Sequence, residues 1–216
     1  MHSEAETFAF IDECKYALDQ LFQILDIRLK AIHNLSRSLA EIEQIEYLLT
    51  DNFVEQDQWS VNANSYYIQY MDRMKALAEE KQGIATEPER QKRVLEMLAR
   101  IGATEESMAV LASAVLQIGK QVLSFRFGGK PNLKNVREVA SQLVVEIIWE
   151  GRNHTMHWEE ANPRRPVVDM LQKLQTSGVK IIQGRNNALA IIAVLNWKSA
   201  SEAIEDLKSL VIAENT

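Results

Sequence analysis

Over residues 8–49 apolar side chains return every seven positions. Ile11, Leu18, Leu25, Ile32 and Leu39 take one place in the repeat, and Cys14, Leu21, Leu35, Ile42 and Leu49 take the place three later. That spacing gathers both sets on one stripe of a helix, an a/d seam of about six heptads interrupted at Arg28 and Glu46. At about 1.5 Å per residue the helix exceeds about 60 Å, so it is expected to bend near His33 to Ser36 or to project. A polar connection over residues 51–57 leads to a second helix expected over residues 58–82, stopped by Gly83. A short connection favours antiparallel packing, so the two predict a helical hairpin.

Further along, Thr86 with Glu89 three later has the form of a capping box, with Pro88 inside it. The helix it opens is expected to end by Gly102, with Thr104 capping another that carries Met108, Leu111, Val115, Leu116, Val122 and Leu123. The strongest loop is residues 127–132, Phe-Gly-Gly-Lys-Pro-Asn. Asn135 with Glu138 then predicts a helix start, and Val139, Ala140, Leu143, Val144, Ile147 and Ile148 form its apolar stripe. Residues 162–166, Asn-Pro-Arg-Arg-Pro, are expected to stop it. A shorter helix over 167–175, a brief extended piece at 180–182 and a last helix over 187–213 complete the chain. The expectation is an all-α antiparallel helical bundle. It is one domain over residues 1–216, with the long hairpin over 1–83 and a helical core over 84–216.

Composition agrees with this layout. Of 216 residues only eight are Gly and four Pro, so tight turns are few. The single Cys14 excludes an internal disulfide and a multi-cysteine zinc knuckle, and it suits a reducing cytoplasm. The acidic start lacks the form of a signal peptide. No run is expected to reach the roughly 18 apolar residues of a membrane span, so no membrane partner is expected.

Net charge is −6, which by itself disfavours nucleic acid, but the charge is unevenly placed. Residues 1–110 carry 11 Lys and Arg against 20 Asp and Glu, whereas residues 120–185 carry 11 against 6. Affinity for a phosphate backbone follows local basic surface. Lys130, Arg164 and Arg165 lie in this basic window and are the candidate RNA or phosphate contacts.

The window also holds the densest chemistry, Glu150-Gly151-Arg152-Asn153-His154-Thr155-Met156-His157-Trp158. An arginine offers a planar donor fork that suits phosphate. A histidine exchanges protons near neutrality. An Arg followed four to six residues later by a His is a common pattern, and Arg28 to His33 repeats it. Context separates the two: Arg28 interrupts an apolar seam, whereas Arg152 precedes the polar Asn153 in the basic window.

With its polar residue after the arginine, this segment resembles the signature of the HEPN family (higher eukaryotes and prokaryotes nucleotide-binding). Members are small α-helical bundles with an Arg-x4–6-His motif. Many are metal-independent endoribonucleases of toxin–antitoxin, abortive-infection and CRISPR effector systems, and others are non-catalytic binding or dimerisation modules. The resemblance maps Arg152, Asn153 and His157 onto the motif as catalytic residues. It implies transesterification leaving 2′,3′-cyclic phosphate, with no metal or cofactor. His157 would act on a proton, Arg152 on transition-state charge, and Asn153 on the orientation of the phosphate or of His157. It also implies a homodimer, an RNA substrate or nucleotide, and a protein antitoxin as partner.

Geometry bears on the dimer. On a straight helix Arg152 and His157 stand about 140° apart, so they share one phosphate only if the helix distorts or two chains meet, and the resemblance favours the second, with the motifs of two protomers facing one another across a two-fold axis. Gly151 is expected to mark such a distortion or a close helix crossing. Other readings of the segment remain. His154 lies on the apolar stripe and reads as a core histidine, Trp149 and Trp158 as packing or dimer contacts, and Arg152 as an unpaired surface arginine or a partner for Glu146 or Glu150. Glu150, His154 and His157 share a helical face as three corners of a metal site, but in neither the His-Glu-x-x-His nor the Glu-x-x-His order.

Overall fold

The computed structural model describes residues 1–43, 88–133 and 135–213. Among the described residues there are six helices and one short antiparallel hairpin, so the fold is all-α. The helices are α1 (Glu4–Glu43), α2 (Pro88–Phe127), α3 (Val144–Met156), α4 (Arg165–Thr176), α5 (Ala188–Val194) and α6 (Ala200–Ile212). Between α2 and α3 lie β1 (Glu138–Val139) and β2 (Gln142–Leu143). The helix expected over 58–82 and the cap expected at Thr86 lie outside the described residues. Contacts divide the chain into two compact units, one of residues 1–25 with 109–216 and the other of residues 26–108.

The heptad seam is visible in α1. Ile11, Leu18, Leu25, Ile32 and Leu39 are all buried, while Arg28 is exposed. A capping box starts the helix: Ser3 Oγ accepts from the Glu6 amide at 3.2 Å and the Glu6 carboxylate accepts from the Ser3 amide at 2.7 Å. The Ser3 amide and the Ser3 hydroxyl both donate to the Glu6 carboxylate and hold its carboxyl below the ordinary range. In the unit of residues 26–108, Leu39, Val94 and Leu98 form a small core on which Met97 packs.

The expected break at Gly102–Thr104 is corrected: α2 runs through it without interruption. Thr104 Oγ donates back to the Arg100 carbonyl at 2.7 Å instead of capping a new helix, a bond open to Thr in a helix interior. A Cβ on Gly102 would meet no neighbour within 4 Å, and the residue is carried inside the helix. The helix does end where the Gly-Gly loop was expected, at Phe127, with Gly128 at φ +74°. By length and composition alone the uninterrupted α2 holds one stretch, residues 94–127, long and apolar enough to cross a membrane, and 44% of its most apolar window is buried. Ala112, Val115, Leu116, Val122 and Leu123 of this helix are fully buried and form much of the core beneath the site.

Two further boundaries differ. Asn135 does not cap a helix. It adopts φ +59°, and the hairpin follows with Ala140 and Ser141 both at positive φ, 51° and 56°. A two-residue loop with both φ positive matches strand twist. At the other end, the helix expected over 187–213 is split. Asn196 adopts φ +58°, its amide donates to the Ala193 carbonyl, and the Trp197 amide donates to the Ile192 carbonyl. That pair of bonds is the Schellman arrangement, with Asn in the left-handed place. Ser199 then caps α6 by accepting from the Glu202 amide. Residues 180–182 form no strand.

Candidate functional site

Helix α3 carries the Arg-x4-His segment through the interior of the larger unit. Val144, Val145, Ile147 and Ile148 are buried to 1% or less, so they anchor the helix. Two glycines set how closely its neighbours approach. A Cβ on Gly151 would stand 3.0 Å from Ile191 Cγ2 of α5, and a Cβ on Gly119 of α2 would stand 3.2 Å from Ile148 Cγ2 and from the Trp197 ring. Gly151 therefore marks a close helix crossing, one of the two roles expected of it.

The helix ends at Met156, before the Asn-Pro-Arg-Arg-Pro run that was expected to stop it. That run lies instead in the connection to α4 and at its first turn, where Pro166 suits a helix start. His157 is the capping residue, with φ −138° and ψ 23°, and its amide donates to the His154 carbonyl. The Glu160 amide then donates to the His157 carbonyl, which turns the chain back. The 140° separation belonged to a straight helix through residue 157. Because His157 has left helical geometry, Arg152 and His157 of one chain line the same cavity.

That cavity, of about 260 Å³, is lined by Lys120, Arg152, Asn153, His154, His157, Glu160, Pro163, Arg164 and Val167. Three cations face it from three places: Lys120 from α2, Arg152 from α3 and Arg164 from the residue before α4. Arg152 Nε donates to Gln117 Oε1, one turn before Lys120 on α2, and is held there rather than by Glu146 or Glu150. His157 Nδ1 pairs with Glu160 Oε1 at 2.7 Å, and about half of each side chain is exposed.

A chain of hydrogen bonds joins α2, the loop that follows it and α3. Lys130 Nζ donates to Glu150 Oε1 at 2.8 Å, Asn153 Nδ2 donates to Glu150 Oε2 at 3.0 Å, and Lys120 Nζ donates to Asn153 Oδ1 at 2.8 Å. The Lys120 ammonium also lies over the Trp149 ring, 4.5 Å from its centroid. Burial pushes the Lys120 amine below the ordinary lysine range, and the positive charges of Arg152 and Arg164 push it further, against the pull of Glu150.

The structure thus brings Arg152, Asn153, His157 and Arg164 to one cavity. It places Lys130 on the buried Glu150. It places Arg165 away from the cavity, with its side chain 91% exposed and an ion pair to Asp169 at 3.8 Å. Asn153 has its amide oriented by Lys120 and Glu150 rather than by His157. His154 is 7% exposed and buried against Asn187, whose Nδ2 lies 3.2 Å from His154 Nε2. Burial holds its imidazole below the ordinary histidine range, partly opposed by a hydrogen bond to the Arg185 backbone. Glu150, His154 and His157 do not converge as metal ligands: Lys130 and Asn153 occupy the carboxylate, Asn187 occupies one imidazole, and Glu160 occupies the other.

Sequence reasoning missed Lys120, Gln117 and Glu160. Lys120 and Gln117 lie more than 30 residues before Arg152 on another helix, and only their spacing of three, which puts them on one helical face, signals that they act together. Glu160 follows His157 by three residues, but outside any helix that would make this spacing informative. No protein family, curated protein or solved structure matches the chain.

Proposed function

We propose that the protein is a HEPN-type endoribonuclease that cleaves RNA by transesterification, without need of a metal ion. The observation that carries the reading is the convergence of Arg152 and His157 on one polar cavity within a single chain. The Arg152 fork, fixed by Gln117, and the Arg164 guanidinium hold the phosphodiester and offset the negative charge that builds on phosphorus in the transition state. Glu160 holds His157 through Nδ1, which leaves Nε2 for the substrate.

In the reaction, His157 Nε2 takes the proton of the ribose 2′-hydroxyl. The 2′ oxygen forms a bond to phosphorus, and the bond from phosphorus to the 5′ oxygen breaks. The departing 5′ oxygen gains a proton, leaving a 2′,3′-cyclic phosphate and a 5′-hydroxyl. By the same family resemblance the protein acts in the cytoplasm as a homodimer, as a toxin or defence component restrained by a protein antitoxin.

The test is incubation of RNA with the full chain in EDTA, followed by analysis of product ends. Cleavage to 2′,3′-cyclic phosphate that is lost in folded His157→Ala and Arg152→Ala supports the reading. Cleavage that survives both substitutions overturns it. RNA binding without any turnover identifies a non-catalytic binding module instead.

A further inference from the structure

Transesterification moves two protons: one leaves the 2′-hydroxyl and one reaches the 5′ oxygen. His157, having taken up the first, is not at that moment a donor of the second, and the other histidine of the cavity lining, His154, is buried against Asn187. We propose that Lys120 is the general acid that protonates the leaving 5′ oxygen, an inference that rests on the ribonuclease reading above.

Three observations and the chemistry of an ammonium point to a proton donor at Lys120. Its side chain lines the same cavity as His157 but comes from α2, so the two groups reach the substrate from different elements. The ammonium is oriented twice, by the 2.8 Å bond to Asn153 Oδ1 and by the Trp149 ring face. An ammonium carries three protons, so one spent on Asn153 leaves others for a substrate. The charges packed around it favour release of a proton: Arg152 and Arg164 face it, and only Glu150, already shared by Lys130 and Asn153, opposes them. A lysine in this setting donates more readily than an ordinary lysine, which is what a leaving alkoxide requires.

The step balances. As the bond from phosphorus to O5′ breaks, its electron pair stays on O5′ and captures a proton from Lys120 Nζ. Lys120 becomes a neutral amine and His157 an imidazolium. Exchange with water reprotonates the first and deprotonates the second. Asn153 touches no reacting atom here. It is a positioning residue that acts through Lys120, which accounts for a polar residue after Arg152 whose amide is turned toward Glu150 and Lys120.

The test compares two substrates on the full chain: an oligoribonucleotide, and a ribonucleoside 3′-(4-nitrophenyl phosphate). The second departs as a stabilised phenolate and needs no acid. Lys120→Arg keeps the positive charge but replaces the amine with a guanidinium that does not yield its proton. The proposal expects RNA cleavage to fall by about 100-fold or more in this variant, with a much smaller loss on the nitrophenyl ester, in a protein whose melting is unaltered. Equal losses on both substrates, or undiminished RNA cleavage, overturn it. If Lys120→Arg does not fold, the pH profile of the wild type decides. The RNA rate must fall on the alkaline side as Lys120 loses its proton, with no such fall for the ester, and identical alkaline behaviour on both overturns the proposal. If the wild type cleaves neither substrate, the ribonuclease reading itself fails and the role of Lys120 goes with it.

Discussion

His157 Nδ1 stands 2.7 Å from Glu160 Oε1, in the turn that carries the chain out of α3. The bond engages Nδ1 and leaves Nε2 as the other ring nitrogen. Both side chains are about half exposed, so water competes and the bond is worth about 1 kcal/mol. Glu160→Gln is therefore expected to slow RNA cleavage by about fivefold, and His157→Ala to abolish it. Single-turnover rates check this. Equal losses in the two variants would make Glu160 more than an orienting group.

The buried His154 gives the stability a pH dependence. Its imidazole titrates below the ordinary value of about 6.5 because burial disfavours the charged form. The unfolded chain then binds more protons in the window between the lowered value and 6.5, so stability rises with pH there. Stability from this group is fully present above about pH 6.5 and is lost as pH falls through that window. Urea unfolding followed from about pH 7.5 down to about pH 5 measures this. His154→Gln is expected to flatten the dependence. A curve unchanged by the substitution would assign the dependence to other groups.

At Gly151 two effects oppose. An alanine would gain about 1 kcal/mol of helix propensity. Its Cβ would stand 3.0 Å from Ile191 Cγ2, in a core where overpacking costs about 1–3 kcal/mol. Ile191 is fully buried and its Cγ2 is not the far end of a flexible chain, so the clash is expected to win. Gly151→Ala is expected to destabilise by about 1 kcal/mol, and Gly151→Val by more. In an Ile191→Ala background the penalty for Gly151→Ala should vanish. Chemical denaturation of the four proteins checks the coupling.

These cases show what the sequence carried. The seam at Ile11, Leu18, Leu25, Ile32 and Leu39 was legible because burial of one stripe requires a fixed period. So was the end of α2, where the Gly-Gly loop supplies a left-handed residue. The hairpin at Ala140 and Ser141 was hidden, since the loop lacks the Asn-Gly pair that favours positive φ at both places. Thr104 misled because its hydroxyl serves equally as a cap or as a bond to the preceding turn. Asn196 was hidden inside an apolar pattern that runs on beyond it. At the site, Arg152 and His157 could be read as a pair, but not their meeting in one cavity, because that depends on the backbone at His157. Lys120 was illegible as a partner because only tertiary packing brings α2 beside α3.

The hairpin supplies a check on the fold. L-residues in the left-handed region cost about 1–2 kcal/mol each, and Gly avoids most of that. Ala140→Asn together with Ser141→Gly is expected to raise the melting temperature, since it installs the residues that this loop geometry favours. A fall in melting temperature would contradict the left-handed turn at these positions.

The central claim is that Arg152 and His157 act on one phosphate in one cavity. A double-mutant cycle tests it most directly: RNA cleavage rates in EDTA for the wild type, Arg152→Ala, His157→Ala and the double variant. Groups that act as a unit are strongly non-additive. The prediction is that the double variant is scarcely slower than the worse single variant. Rate losses that multiply, or a double variant that still cleaves at the wild-type rate, would contradict it.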